Sequence, residues 1–260
     1  MHTVTHLFFM EQNMAKYIQG FLIACKGIPT TVGVSLIAVA IGAILGLAFA
    51  LLRLSRNKVI SWIARIFIDV VRGTPLVVQA FIFAYGIPKL LQSHGTNFKW
   101  PYLIIPAIIV CGLNSAAYMA EIVRGGIQAV DKGQTEAARS LGMTHKQAMR
   151  LIIIPQAIKI ILPAIGNEFV TLIKETSVLS FVGVIEVMRR GTLWNAATFN
   201  TFEAYIGVAL AYMILTIPLS KGVGYFEKKM AAEAKEEKTI KDSNGQIVGH
   251  VATSSGEVGA

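Results

Sequence analysis

The strongest constraint on the fold is a long segment, residues 27–52, that contains no charged side chain. A helix needs about 20 predominantly apolar residues to cross the hydrocarbon core of a bilayer, so this segment is long enough to span one. The rest of the chain agrees, since 54% of its residues are hydrophobic and 15% are charged, where globular proteins carry about a quarter. The sequence therefore predicts an all-α membrane protein.

Further apolar segments predict five membrane-spanning helices in total. Pro75 should break or kink the second span, because the residue before a proline is pushed out of helical geometry. Pro155 and Pro163 should bend the fourth span. On the first span, Gly42 and Gly46 form a small-residue face that another helix could approach closely. The predicted spans are 27–52, 62–88, 100–120, 151–174 and 204–220.

Lysine and arginine are unevenly distributed between the predicted loops, and this bias predicts the orientation. Together, segments 53–65, 124–150 and 221–260 hold 15 of these residues. The remaining loops, 1–27, 84–101 and 174–202, hold 7. Cytoplasmic loops carry the excess, so the N-terminus is predicted outside and the C-terminus inside. The net charge of +9 is explained by the lysines and arginines concentrated in these cytoplasmic loops, so it is not taken as a sign of nucleic-acid binding.

The chain is predicted to have three parts. Residues 1–27 should form an amphipathic or loosely ordered lead-in, 28–226 the transmembrane domain, and 227–260 a disordered cytoplasmic tail. No cleavable signal peptide is evident in the first twenty residues. Cys25 and Cys111 lie in or beside apolar stretches and are interpreted as packing residues, not as a disulfide or a metal pair.

A charged, small-residue stretch at 131–155 separates two apolar regions and falls on the cytoplasmic side. Asp131 and Thr144 each have a Gln three residues on, the spacing of helix N-caps whose Gln reaches back. Between them lies Gly142, the residue type that ends a helix in the left-handed conformation without a Cβ penalty. We therefore expect two short helices joined by a tight corner, with a small-residue face that another protein could grip.

The same stretch resembles the EAA loop of ABC-transporter membrane subunits. The matching residues are Glu136-Ala137-Ala138, Gly142, Ile152 and Ile154-Pro155, with Ile154 where that family more often has Leu. The RGTP sequence at 72–75 is similar to a stretch recurrent in the polar amino acid branch of the family. Over about residues 20–225 the chain resembles the permease subunit of a polar amino acid ABC importer of the histidine, glutamine and arginine type.

This resemblance implies a multi-pass transport subunit of the bacterial cytoplasmic (inner) membrane that is not itself an enzyme. The implied partners are a second permease subunit, identical or homologous, two cytoplasmic ABC ATPases, an extracytoplasmic solute-binding protein, an amino acid substrate and membrane lipid. No cofactor is expected on this chain, and ATP and magnesium would be held by the ATPase, in keeping with a sequence that lacks the P-loop motif. The 131–150 part would be the coupling loop, and the residues expected to dock the ATPase are Thr135, Glu136, Ala137, Ala138, Arg139, Gly142, Met143 and Pro155.

Charged side chains within the predicted spans are candidates for the substrate site, because burying a charge in a bilayer costs at least a few kcal/mol. Arg72, Thr74 and the backbone amides of the 72–75 break are expected to receive the substrate carboxylate. The acidic residues Glu121, Glu168 and Glu175 would bind its ammonium or a cationic side chain, which favours a cationic or neutral amino acid. The expected hydrogen-bonding neighbours are Asn114, Asn167, Thr176 and Ser177.

Simpler interpretations stay open at this stage. Arg72 would fit the cytoplasmic interface, and Glu168 and Glu175 would fit the outer one. A permease for methionine or a quaternary ammonium osmolyte would share the EAA loop, but the RGTP and NEF-x4-KETS stretches distinguish this chain from it. A secondary transporter would show inverted repeats and more spans. A membrane scaffold without transport would not explain the polar residues on the second, third and fourth spans.

Overall fold

The structure is a computed structural model that describes residues 2–55, 57–241 and 247–250, with side chains described over 14–55 and 57–232. The described backbone is almost entirely helical. Single π-helical turns at Ile82–Gly86 and Met149–Ile153 and a 3-10 helix at Thr176–Val182 join some of the α-helices end to end. In chain order the elements are α1 His2–Cys25, α2 Ile28–Arg53, α3 Lys58–Gly73, α4 Leu76–Phe81, α5 Ile87–Ser93, α6 Ile104–Gln128, α7 Lys132–Ser140, α8 His145–Ala148, α9 Ile154–Glu175, α10 Val187–Thr198, α11 Thr201–Lys238, β1 Thr239–Lys241 and β2 Ile247–His250.

Five helical segments of the described chain are long and apolar enough to cross a membrane. This confirms the predicted number of spans, while several of their limits differ from those predicted. The long first and fourth segments arise because helices that are consecutive in sequence continue into one another with little or no interruption. The five segments are Met14–Arg53, Leu76–Ser93, Ile104–Gln128, His145–Val182 and Thr201–Ala232.

The second span differs from the prediction of one broken helix over 62–88. The break is present, since Thr74 ends α3 in an extended conformation with φ −118° and ψ 143°, and Pro75 is extended too. However, α3 is a separate helix of 16 residues that falls outside the candidate spans, and the span itself begins at Leu76. It also continues as a helix to Ser93, into the predicted external loop.

The predicted lead-in is a helix over its described length and becomes part of the packed structure. Ala24 of α1 is fully buried beside Val187 and Ala211. A Cβ added to Gly20 would lie 2.7 Å from the carbonyl oxygen of Glu203, so α1 and α11 approach closely at this glycine. Of the two predicted alternatives, amphipathic or loosely ordered, the helix α1 agrees with the first, and its apolar side chains pack on α10 and α11.

Close packing of α2 on α6 confirms the small-residue face predicted on the first span. A Cβ on Gly42 would lie 2.5 Å from the Ser115 Oγ, and one on Gly46 would collide with the Met119 side chain. Ala50 of α2 packs in one cluster with Ala120 of α6. Residues later in α2 therefore contact residues later in α6, so the two helices run parallel to each other.

The chain separates into two compact units, 1–125 with 164–221, and 126–163 with 222–260. In the first unit the buried core joins α2, α4, α6, the end of α9 and the 3-10 helix, around residues such as Ala38, Cys111 and Leu172. In the second unit, α11 continues to Lys238, eleven residues beyond residue 227, the predicted start of a disordered tail. The strands β1 and β2 then pair antiparallel, Thr239 opposite His250. Residues 242–246 and 251–260 of that predicted tail lie outside the described residues.

Candidate functional site

The predicted helical corner is present in the 126–163 part of the chain. The Asp131 carboxylate accepts a hydrogen bond from the Gly133 backbone N–H at 2.8 Å and begins α7. Gly142 has φ +82°, the left-handed conformation expected at the end of that helix. At α8, the Thr144 hydroxyl accepts from the Gln147 N–H while the Gln147 side chain accepts from the Thr144 N–H at 2.8 Å, a complete capping box.

One detail of the predicted caps is wrong. The side chain of Gln134 does not reach back to the N-cap of α7. Its oxygen instead accepts a hydrogen bond at 3.4 Å from the side-chain amide of Gln156, which lies in α9. An adjacent apolar cluster of Val130, Ile153 and Ala157 packs this corner against the start of α9. Long-range packing therefore redirects a side chain whose spacing suits a local cap.

The predicted docking residues divide by exposure. Ala138 is only 4% exposed, so its side chain packs inside the corner. Arg139 is exposed, but its guanidinium also donates to the Met143 carbonyl oxygen at 3.0 Å and so closes the turn. Thr135 and Met143 are half-buried, while the residues exposed for contact are Glu136, Ala137, Arg139, Gly142 and Pro155.

Leu141 was not among the predicted docking residues, and it is the most prominent feature of the corner. Its side chain is 84% exposed, immediately before Gly142. Single exposed apolar side chains are common on protein surfaces, but this one stands at the tip of the loop that the resemblance assigns to ATPase contact, which makes it a candidate contact residue. The signal was available in the sequence, because Leu141 is an apolar residue standing between two helix caps where a polar turn residue is usual.

The break before the second span is held by a second residue that the sequence analysis missed. The Gln79 side-chain amide donates to the Val71 carbonyl oxygen and to the Thr74 hydroxyl, each at 2.8 Å. Its oxygen accepts from the Asn114 side chain of α6 at 3.3 Å. Two predicted site residues, Thr74 and Asn114, are thus connected through Gln79. Glutamine side chains bridge such breaks because they offer two donors and an acceptor.

Glu121 lies among arginines. Its carboxylate pairs with Arg53, accepts from two guanidinium nitrogens of Arg124 at 2.9 and 2.7 Å, and lies 3.9 Å from a guanidinium nitrogen of Arg72. The guanidinium of Arg72 also lies 5.3 Å from the centre of the Tyr118 ring. The prediction that Glu121 receives a substrate ammonium, and Arg72 its carboxylate, is not supported by this geometry, because the two side chains engage each other and their neighbours.

Glu168 and Glu175 are both half-buried on α9 and interact with each other electrostatically. Glu168 lies near Ser115, and Glu175 acts electrostatically on Cys111, two α6 residues one turn apart. Both carboxylates therefore face α6. Among the described residues, ion pairs form at Glu121 but none at these two carboxylates.

The predicted hydrogen-bonding neighbours of Glu168 and Glu175 differ in their availability. Asn114 is buried and already donates to Gln79. The hydroxyl of Thr176 is buried and donates to the Ile173 carbonyl oxygen at 2.7 Å, so it serves the helix. Asn167 is exposed, and Ser177 is half-buried. Ser177 is thus the more accessible of the two hydroxyls that follow Glu175.

Glu186 is a buried carboxylate outside the spans that the sequence analysis did not single out. It caps α10 by accepting hydrogen bonds from the Met188 and Arg189 N–H groups at 2.7 and 2.6 Å, and it accepts from the Tyr212 hydroxyl at 2.7 Å. Burial raises the pKa of Glu186, and the three hydrogen bonds offset part of that rise. With all its bonds inside the protein, this carboxylate is structural.

Comparison with known proteins places these features in context. The profile of a family described as "Binding-protein-dependent transport system inner membrane component" matches residues 38–232. A probable glutamine ABC transporter permease protein of Bacillus subtilis is 38% identical over 219 residues, covering 84% of this chain and 94% of that protein. The arginine transport system permease protein of the same organism is 40% identical over 195 residues, covering 75% and 86%.

Solved structures agree with the sequence relatives. A crystal structure of an amino acid ABC transporter with histidines contains a chain that is 42% identical and superposes with a TM-score of 0.74, covering 84% of this chain and 97% of that one. An inward-facing methionine ABC transporter superposes with a TM-score of 0.64 over 80% of this chain and 96% of that one. At 18% identity, the second likeness shows the fold alone.

Proposed function

Since the chain belongs to the family of binding-protein-dependent transport system inner membrane components, we propose that it is the permease subunit of an ATP-driven importer for a polar amino acid. The single observation that carries the coupling to ATP is the capped corner at 131–150, which presents Leu141 to the solvent. The relatives named for glutamine, arginine and nopaline support a polar amino acid as the substrate.

The partners follow from the family and from what this chain lacks. The sequence contains no P-loop motif, so ATP and magnesium are bound by separate cytoplasmic ABC ATPases, two per transporter. A second permease subunit, identical or homologous, completes the membrane part. An extracytoplasmic solute-binding protein delivers the amino acid to the outer face.

The coupling surface consists of Leu141 inserted into a cleft of the ATPase, flanked by Glu136, Ala137 and Arg139. Ala138 and Met143 hold this surface from within. ATP drives transport to the extent that it binds one conformation of the complex more tightly than the other, which shifts the population between inward-facing and outward-facing states.

The substrate site is built on Glu168 and Glu175, facing Ser115 of α6, with Asn167 and Ser177 as hydrogen-bonding neighbours. Among the described residues Glu168 and Glu175 form no ion pair, although Lys174 acts electrostatically on Glu175, and two half-buried carboxylates of this kind favour a positively charged group on the substrate. This positively charged group would be the α-ammonium of a neutral amino acid or the side chain of a cationic one. An acidic amino acid would be repelled.

Uptake measurements test this assignment. The permease is reconstituted with its partner subunits and binding protein in proteoliposomes, and ATP-driven uptake of labelled arginine and glutamine is measured. We expect Glu168→Gln to lower arginine uptake at least tenfold, because a charge-assisted hydrogen bond contributes about 1.5–3 kcal/mol. Glu227→Gln, the same change at an exposed carboxylate of α11, should leave uptake unchanged. Equal rates in the Glu168→Gln variant and the wild type would remove Glu168 from the site.

A further inference from the structure

The arginines around Glu121 form a compact group that the transport function does not use. This arginine cluster comprises Arg53, Arg65, Arg72 and Arg124. Arg65, Arg72 and Arg124 each act electrostatically on Arg53. The backbone also draws α2 and α3 together here, because the Ser61 hydroxyl of α3 donates to the Arg53 carbonyl oxygen at 2.7 Å. Four guanidinium groups thus lie around the ends of α2 and α6 and along α3.

Positive charge exceeds negative charge in this group. Within the part of the chain that the structure describes, the carboxylates recorded beside the four arginines are Glu121 and Asp69, and Asp69 acts electrostatically on Arg53. The exposure is asymmetric as well. The side chain of Glu121 is 15% exposed, whereas that of Arg72 is 40% exposed, and Arg65 is exposed too. Glu121 is therefore enclosed, whereas Asp69 is exposed on α3 together with two arginines, Arg65 and Arg72, so positive charge still exceeds negative charge at the surface.

The outer surface of α3 beside this charge is apolar. Trp62 is 61% exposed, and Val59, Ile66 and Val70 lie on the same side of the helix at spacings of three to four residues. Lys58, Arg65 and Arg72 follow an adjacent stripe of the same helix. A helix with an exposed apolar stripe beside a basic one suits the boundary between hydrocarbon and headgroups. The lysine and arginine bias puts this boundary on the cytoplasmic side.

We propose that the arginine cluster binds the phosphate of an anionic phospholipid in the cytoplasmic leaflet. Guanidinium groups match phosphate oxygens with paired, charge-assisted hydrogen bonds. Basic pockets between helices on this side of a membrane are suited to anionic headgroups. The acyl chains of the same lipid would cover Trp62 and the apolar stripe of α3, which is why a lipid fits this surface better than free phosphate does.

Fluorescence quenching by brominated lipids tests the proposal. The complete transporter is reconstituted in phosphatidylcholine vesicles in which either phosphatidylglycerol or phosphatidylcholine carries bromine on its acyl chains. The difference between the wild type and a Trp62→Phe variant isolates the signal of Trp62. We expect stronger quenching by the brominated phosphatidylglycerol.

Removing cluster arginines should weaken this preference. One arginine near an anionic surface contributes about 1 kcal/mol, so Arg65→Gln should lower the association constant of phosphatidylglycerol relative to phosphatidylcholine about fivefold. A further Arg72→Gln change should lower it again by a similar factor. Lys89→Gln, which removes one positive charge at the end of the second span remote from the cluster in sequence, should keep the preference.

Three results would overturn the proposal. Equal quenching by both lipids would show that no headgroup is selected. An absence of quenching by either would show that protein, such as the second permease subunit, covers Trp62. Loss of the preference on adding inorganic phosphate would assign the arginines to free phosphate instead of lipid. None of these results bears on the coupling corner or on uptake, so the proposed transport function is tested separately.

Discussion

At the scale of single residues, the Gln79 side chain connects three helices. It ties the end of α3 to the start of α4 and connects both to Asn114 on α6. We expect Gln79→Ala to destabilise the protein by about 1–3 kcal/mol, because Asn114 is buried and would lose its acceptor. Thermal unfolding of the purified permease measures this. Gln92→Ala, the same truncation at an exposed position, should change stability by less than about 0.5 kcal/mol.

Glu186 gives a residue-scale prediction about pH. Burial raises its pKa in the folded state, so between the unfolded and folded pKa values the native protein binds the proton more tightly than the unfolded chain. Stability should therefore fall as the pH rises through that interval, starting from the ordinary glutamate pKa. Glu186→Gln removes this dependence, and melting temperatures across the pH range compare it with the wild type. A wild-type melting temperature that rises over the same interval would contradict the shift.

At the scale of elements, the coupling corner combines a left-handed backbone position that favours glycine with a contact surface, and separate variants can test each of them. Gly142 and Gly95 both have φ +82° and open space around an added Cβ. Gly142→Asp and Gly95→Asp should therefore cost similar stability, about 1–2 kcal/mol each. Only Gly142→Asp should abolish co-purification of the ATPase and ATP-driven uptake while leaving the permease inserted. Retained coupling in that variant would refute docking at this corner.

Leu141 tests the same element without backbone strain. Because its side chain is already exposed, Leu141→Ser should leave the melting temperature of the isolated permease unchanged. The same change should weaken ATPase binding, since burying a leucine side chain contributes about 1.5–3 kcal/mol. A pull-down titration of the ATPase against wild type and variant measures the loss. An unchanged affinity would show that the corner docks through its polar residues alone.

The elements also differ in how well they could be predicted from the sequence. The corner, its N-cap residues Asp131 and Thr144 and the small-residue face of Gly42 and Gly46 depend on spacings within one helix or turn, and they were predictable from the sequence. The separation of α3 from the second span was harder, because an amphipathic helix before a proline is as apolar in composition as the start of a span. The neighbours of Glu121 were harder to predict for a different reason. Its partner Arg53 is distant in sequence, and only the packing of α2 on α6 brings them together.

At the scale of the whole molecule, every proposal depends on one orientation in the membrane, with the coupling corner in the cytoplasm. The evidence for it is the distribution of lysine and arginine, which favours the cytoplasmic side through an effect on insertion. The ATPase contact and the lipid site both need the 53–65 and 124–150 segments on that side. If the orientation were reversed, both the ATPase contact and the lipid site would be ruled out.

Cysteine labelling of the whole chain tests this orientation. In a background where Cys25 and Cys111 are replaced, single cysteines are introduced at the exposed positions Gln92 and Lys146. A membrane-impermeant maleimide applied to intact spheroplasts should label Gln92→Cys and not Lys146→Cys, and after permeabilisation both should react. Labelling of Lys146→Cys in intact spheroplasts would place the corner outside, where no ATPase is present. The coupling mechanism would then fail, whatever the affinity of Leu141 for a partner in solution.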